Sequence, residues 1–181
     1  LLLPLGDFDK TVYQGVNGAI FALLALDAGG YEIPANPEAK TQATRDRYVQ
    51  KILSAQLTDG GWNMSGETAD ADLTAMALQA LAGYTAQAEV QSAVDRGVAA
   101  LSSMQQADGG FATGGAETCE SNAQVIVALT ELGISLSDSR FTKGGSTVLD
   151  ALLAFSNANG SFSHTAGGEA NEMATEQALY A

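Results

Sequence analysis

Two aspartates, Asp70 and Asp72, stand directly before the apolar run Leu73-Thr74-Ala75-Met76-Ala77-Leu78-Gln79-Ala80-Leu81. A carboxyl kept protonated in a dry, hydrogen-bonding pocket is a general acid, and enzymes set such groups by tuning their surroundings. In that reading Asp72 is the acid and Asp70 its support. The same pair also suits the start of a helix, where carboxylates cap free N–H groups and meet the positive end of the dipole. Similar polar residues precede the other apolar runs: Gln14 and Asn17, Glu120 and Asn122, Asn171 and Glu172. Brought to one level, they would form an acidic-amide rim able to hold a cation, a polar ligand or a basic segment of a partner. Taken singly, they are helix caps.

Other chemistries find too few residues. The chain has one cysteine, Cys119, and one histidine, His164. A catalytic zinc needs three protein ligands and a water. Glu117 and Cys119 with a histidine in a Gly-Ser turn do not supply them, so neither metal nor cofactor is expected. A single loop histidine builds no Ser-His-Asp set. Cys119 reads as a small buried residue. The glycines follow no strand and precede no lysine, so they are helix stops rather than a phosphate cradle.

The elements that position these residues repeat. Gln56-Leu57-Thr58-Asp59-Gly60-Gly61-Trp62, Gln105-Gln106-Ala107-Asp108-Gly109-Gly110-Phe111 and Ser156-Asn157-Ala158-Asn159-Gly160-Ser161-Phe162 recur at a spacing of about 50 residues, the upper end of the solenoid and propeller range. Before each lies a helical pattern with one apolar stripe: Tyr48, Val49, Ile52 and Leu53; then Val94, Val98, Leu101 and Met104; then Val148, Leu149, Leu152 and Leu153. After each comes a polar, Gly-rich stretch and a helix apolar nearly all round: 73–81, 125–132 and Met173 to Ala181, with an earlier copy at Asn17 to Leu26. The second kind should form a buried inner layer and the first kind a wetted outer layer, giving about seven alternating helices. The Gly29–Pro37 stretch reads as loop, and no run alternates as a strand does. Glycine in each turn permits the left-handed backbone that ends a helix, after which the ring folds over the apolar face. Trp62 is either such a core ring or a stacking surface for a ligand.

The composition narrows the partners. Of 181 residues, 46 % are apolar, which excludes general disorder, and 8 basic residues face 21 acidic ones. A net charge of −13 repels nucleic acid and anionic membrane. The longest apolar run, Ala19 to Leu26, is far short of a bilayer span. The first residue is Leu1, and the last ones, Leu179-Tyr180-Ala181, continue an apolar pattern. Residues 1–181 are therefore expected to be one domain taken from a larger protein with further domains.

The Gln-x-x-Asp-Gly-Gly-Trp pattern of Gln56–Trp62, with its Phe111 and Phe162 counterparts, resembles the prenyltransferase and squalene-cyclase (QW) repeat. More narrowly, Asp59–Trp62 with Asp70–Leu81, and Asn171–Gln177, are similar to repeat domains in surface proteins of Gram-positive gut bacteria. There the domain is joined to immunoglobulin-like modules or to a relative of the cobalamin-carrier C-terminus. The resemblance runs from Thr11 onward. It implies an all-α, α/α-toroid fold, with inner helices ringing a cavity and outer helices around them. A full toroid of that family has roughly six hairpins. This chain supplies fewer, so an incomplete ring is expected.

Asp70-Ala71-Asp72-Leu73-Thr74-Ala75 resembles the Asp-x-Asp-Asp-Thr-Ala box of class II terpene cyclases, whose middle Asp protonates an alkene or epoxide. Asp72 holds that position, but Leu73 stands where the box has a further acid. The aromatic residues that would stabilise a carbocation are sparse. Cys119 lacks the Cys-Gly-Glu-Gln context of thioester domains. The expectation is thus a non-catalytic binding or scaffold module of an extracellular or cell-surface bacterial protein. Its ligand, a small molecule, lipid, corrinoid or glycan, would sit at an acidic mouth formed by Asn17, Asp70, Asp72, Glu120, Asn122, Asn171 and Glu172, with Trp62 nearby. The alternatives are a terpene-cyclase-like enzyme with Asp72 as general acid, and a structural spacer.

Overall fold

The computed structural model describes residues 2–181, and its regular structure is almost all helical. The inner helices are α2 (Val16–Asp27), α4 (Ala71–Leu81), α6 (Cys119–Glu131) and α8 (Glu172–Tyr180); the outer ones are α3 (Arg45–Ser54), α5 (Ala88–Met104) and α7 (Val148–Leu153). These are the seven expected helices. The eighth, α1 (Phe8–Thr11), is a single turn whose Phe8 ring packs on Tyr48 at 5.6 Å. The inner helices pack in series, α2 on α4, α4 on α6 and α6 on α8, each with an outer helix beside it where one follows. They run parallel: the Tyr84 hydroxyl just past α4 donates to Asp27 at the end of α2 at 2.7 Å, and the Cys119 thiol at the start of α6 reaches Ala174 O near the start of α8 at 3.7 Å. Among the described residues no helix is long and apolar enough to cross a membrane.

The three recurring turns are built alike. Gly60, Gly109 and Gly160 adopt φ of 92°, 90° and 84°, a backbone that a side chain would strain. The acid or amide just before each glycine accepts the amide of the residue just after it: Asp59 from Gly61 at 3.2 Å, Asp108 from Gly110 at 3.1 Å and Asn159 from Ser161 at 3.1 Å. The amide nitrogens of Gln56 and Gln105 each donate twice, to Gly60 O and Ala93 O at 2.7 and 2.8 Å, and to Gly109 O and Phe141 O at 2.9 Å each. Each glutamine thereby ties its own turn to the neighbouring repeat.

The aromatic residue that follows docks on the next inner helix. The backbone amides of Trp62, Phe111 and Phe162 donate to Thr74 Oγ1, Asn122 Oδ1 and Thr175 Oγ1 at 3.0, 2.8 and 2.9 Å. Each acceptor is the fourth residue of its inner helix, so the three repeats share one register. The rings of Trp62 and Phe111 are fully enclosed. Burying such a side chain contributes roughly 1.5–3 kcal/mol.

Two features depart from the sequence reading. Ala112–Thr113 pairs with Ala116–Glu117, and Thr142–Lys143 with Ser146–Thr147, as two-residue antiparallel hairpins (β1–β2 and β3–β4). Gly114-Gly115 and Gly144-Gly145 turn them, all with positive φ as a tight hairpin requires. Strands this short leave no alternating pattern to read. The inner helices are also not apolar all round. They carry Gln79, Gln124 and Gln177, and α8 leaves Met173, Leu179 and Tyr180 exposed at 61, 72 and 74 %.

Candidate functional site

Parallel inner helices in one register bring equivalent residues to one height. Asp72 and Glu120 are the second residues of α4 and α6, and Met173 is the second residue of α8. One turn deeper stand Phe21, Met76, Gln124 and Gln177, and about a turn below these Leu24, Gln79, Val127 and Tyr180. Residues four and seven positions after a helical residue lie on the same face. These levels therefore form one concave wall, lining a half-open cavity of about 710 Å³. The β1–β2 hairpin contributes Thr113 and the loop before α8 contributes His164, both at the mouth. Halfway down, Gln124 Nε2 donates to Gln79 Oε1 at 3.1 Å and links α6 to α4.

Asp70 and Asp72 have separate tasks. Asp70 is the N-cap of α4 and accepts the Leu73 amide at 2.9 Å. Asp72, two residues on, lines the cavity. Its Oδ1 is buried and has no hydrogen-bond partner, and the nearby Thr113 Oγ1 is buried without one as well. Burial pushes the Asp72 pKa above the usual carboxylate range. The Ser121 and Thr113 hydroxyls oppose the rise, and the charges of Asp70 and Glu120 reinforce it. Glu120 has a partner: its Oε2 lies 2.9 Å from Nδ1 of the exposed His164, a hydrogen bond when that nitrogen carries the proton. No lysine or arginine lines the cavity. Leu73, where the cyclase-like box would have a further acid, is buried in the core.

The other expected rim residues lie elsewhere. Asn122 is fully buried and structural: it accepts the Phe111 amide and donates to Glu117 Oε1 at 3.0 Å. Trp62 offers no face to a ligand, because its ring is enclosed and its indole N–H donates to Ile52 O at 2.7 Å. Both expectations are corrected for one reason: these side chains point to the outer layer, not the concave one. Asn171 caps α8 by accepting the Ala174 amide at 2.9 Å, and Glu172 is exposed beside it; neither lines the cavity. Asn17 is the second residue of α2, the counterpart of Asp72, but it also falls outside the lining. Of the expected rim, the cavity brings together Asp72 and Glu120.

Phe21, Met76 and Gln124 were not singled out from the sequence, and His164 was weighed there only as a metal ligand or triad member. Counting four residues on from the second position of α2, α4 and α6 would have found the first three; nothing in the spacing places His164 at the mouth. Cys119 is buried at the first position of α6, and burial raises its thiol pKa to about 11. That disfavours the reactive thiolate. Among the described residues no group of three His, Cys, Asp or Glu side chains is placed to hold a metal ion.

The comparison with curated proteins gives no match. The family model described as the prenyltransferase alpha-alpha toroid domain matches residues 7–179, almost all of the helical array described above. With its glycine-aromatic turns, shared register and concave inner face, the chain belongs to the prenyltransferase α/α-toroid family.

Proposed function

We propose that this chain is a ligand-binding module whose cavity takes a small molecule with an apolar body and a polar end, the polar end lying beside Asp72 and Glu120. The observation that carries this reading is the cavity itself. Its volume of about 710 Å³ falls in the usual range for small-molecule sites. Its carboxylates gather at one end, while Phe21, Leu24, Met76 and Val127 line most of the rest, with Gln79, Gln124 and Gln177 between them. Among the ligand classes weighed, the largely apolar wall favours a lipid-like body over a glycan, which carries more hydroxyls than the few wall glutamines can serve. Membership of an extracellular bacterial surface protein rests on the resemblance of Asp59–Trp62, Asp70–Leu81 and Asn171–Gln177 to such domains.

The test is titration with a neutral environment-sensitive dye such as Nile red. The expected result is saturable one-to-one enhancement, lost in Gln124→Trp, which fills the cavity from its solvent side. Circular dichroism checks that the variant folds. Enhancement that survives the filled cavity, or none in the wild type, would overturn the reading.

A second reading is kept by one observation. The raised pKa of Asp72 holds its proton more tightly than usual, as an acid catalyst in an apolar site does. An enzyme of that kind would convert squalene or a polyprenyl diphosphate to a cyclic product, and Asp72→Asn would abolish it. Leu73, buried where the cyclase-like box has a further acid, favours the binding module, because a strong acid needs its supporting groups in place around the carboxyl.

A further inference from the structure

The cavity joins three properties that together select a ligand class. Its mouth holds two carboxylates, Asp72 and Glu120, and no lysine or arginine faces them. Glu120 is served by His164, whereas Asp72 has no cationic partner and keeps one oxygen buried and unbonded. Below them the wall is mostly apolar, through Phe21, Met76 and Val127. A carboxylate withdrawn from water without a counter-charge is costly, and a cation brought to it recovers much of that cost. An anionic head would meet repulsion from both carboxylates and find no lysine or arginine to offset it, the one histidine at the mouth being held by Glu120.

Resting on the reading of this cavity as a ligand site, we propose that its ligand is a primary alkylammonium amphiphile. The protonated amine sits against the Asp72 carboxylate and the alkyl tail runs down the concave wall. An N–H donor is specified because the carboxylate can form charge-assisted hydrogen bonds with it, and these are stronger than neutral ones. The length is set by the wall. From the level of Asp72 to that of Gln79 the helix rises about 10 Å at roughly 1.5 Å per residue. A tail filling that depth is longer than the four-carbon stem of a lysine, so a free amphiphile fits better than a lysine side chain of a partner protein.

The experiment displaces bound Nile red from the folded chain with decylamine, decan-1-ol, decanoate and butylamine at neutral pH, each below its micellar concentration. Decylamine should compete at least about tenfold more tightly than decan-1-ol, the advantage of a charge-assisted over a neutral contact. Decanoate and butylamine should compete least. In Asp72→Asn the preference for decylamine over decan-1-ol should vanish, with circular dichroism confirming the fold. Equal or tighter binding of decan-1-ol or decanoate by the wild type, or an amine preference that survives in Asp72→Asn, would overturn the ammonium assignment and leave the cavity a neutral or anion site. Competition by butylamine as strong as by decylamine would overturn the tail. If the dye binds but none of the four displaces it, or if the dye does not bind, the cavity is not the ligand site and both readings fall.

Discussion

On α4, Thr74 and Asp72 stand two residues apart, on roughly opposite sides of the helix. Thr74 accepts the Trp62 amide and is fully buried. Asp72 faces the cavity with a buried oxygen that nothing bonds. On α6 the contrast recurs: Asn122 is locked to Phe111 and Glu117, whereas Glu120 meets only an exposed histidine at the mouth. The outer-facing side of each inner helix uses one device three times, with Thr, Asn and Thr as interchangeable acceptors. The concave side keeps one register but varies its chemistry, with Asp, Glu and Met at the same level. Satisfied and repeated groups hold the arc together; unsatisfied and unlike groups are where a ligand has something to gain.

The contrast is most severely tested at Trp62. Trp62→Ala removes an enclosed ring and one of the hydrogen bonds on the Ile52 carbonyl, and should cost about 3–5 kcal/mol, read from the midpoint of denaturant unfolding. Dye binding by the fraction still folded should be unchanged, since the ring does not touch the cavity. A large loss of affinity without loss of stability would return Trp62 to the binding surface.

Asn122→Leu comes next. It leaves the buried Phe111 amide without an acceptor, at a cost of about 1–3 kcal/mol. Asn122→Thr should recover most of that, because Thr74 and Thr175 do the same work in the flanking repeats. Equal destabilisation by Leu and Thr would show that the three acceptors are not equivalent. Smaller again is Thr118→Ala, which removes the cap on Ser121 N and should cost about 1 kcal/mol. In a chain of this size that lowers Tm by roughly 2–4 °C.

The smallest effect should have the opposite sign. With its pKa raised above 3.8, Asp72 keeps its proton to higher pH in the folded chain than in the unfolded one. Ionising it therefore costs stability, and the cost grows as pH rises from the unfolded value through the folded one. Asp72→Asn should stabilise the protein at neutral pH, with the gain shrinking as pH falls toward the ordinary aspartate range. Melting temperatures across that range check both points. Destabilisation at neutral pH would make Asp72 a structural cap like Asp70 and erase the difference between the two faces.

Much of the architecture was legible before any coordinates. The apolar stripes of 45–54 and 88–104 marked outer helices, because a helix wet on one side must show its period. The Asp-Gly-Gly turns marked helix ends, because only glycine accepts the φ of 92° found at Gly60 without strain. The site was legible in part. Asp72 and Glu120 were singled out and line the cavity, but Asn122, Asn171 and Glu172 were grouped with them on proximity to helix starts. A difference of two residues turns a side chain to the other side of a helix, and no composition or charge rule reports that.

The sequence by itself determined the repeat, its helices and the residues that begin and end them, since these depend on local backbone preferences and on apolar spacing within one segment. Only the tertiary structure decided which side of each inner helix faces the cavity. That choice is made by the aromatic rings and outer helices that claim the opposite side, residues far away in the chain. The same packing leaves Asp72 without a cationic partner at the head of a largely apolar wall, and thereby makes it the residue on which the proposed function turns.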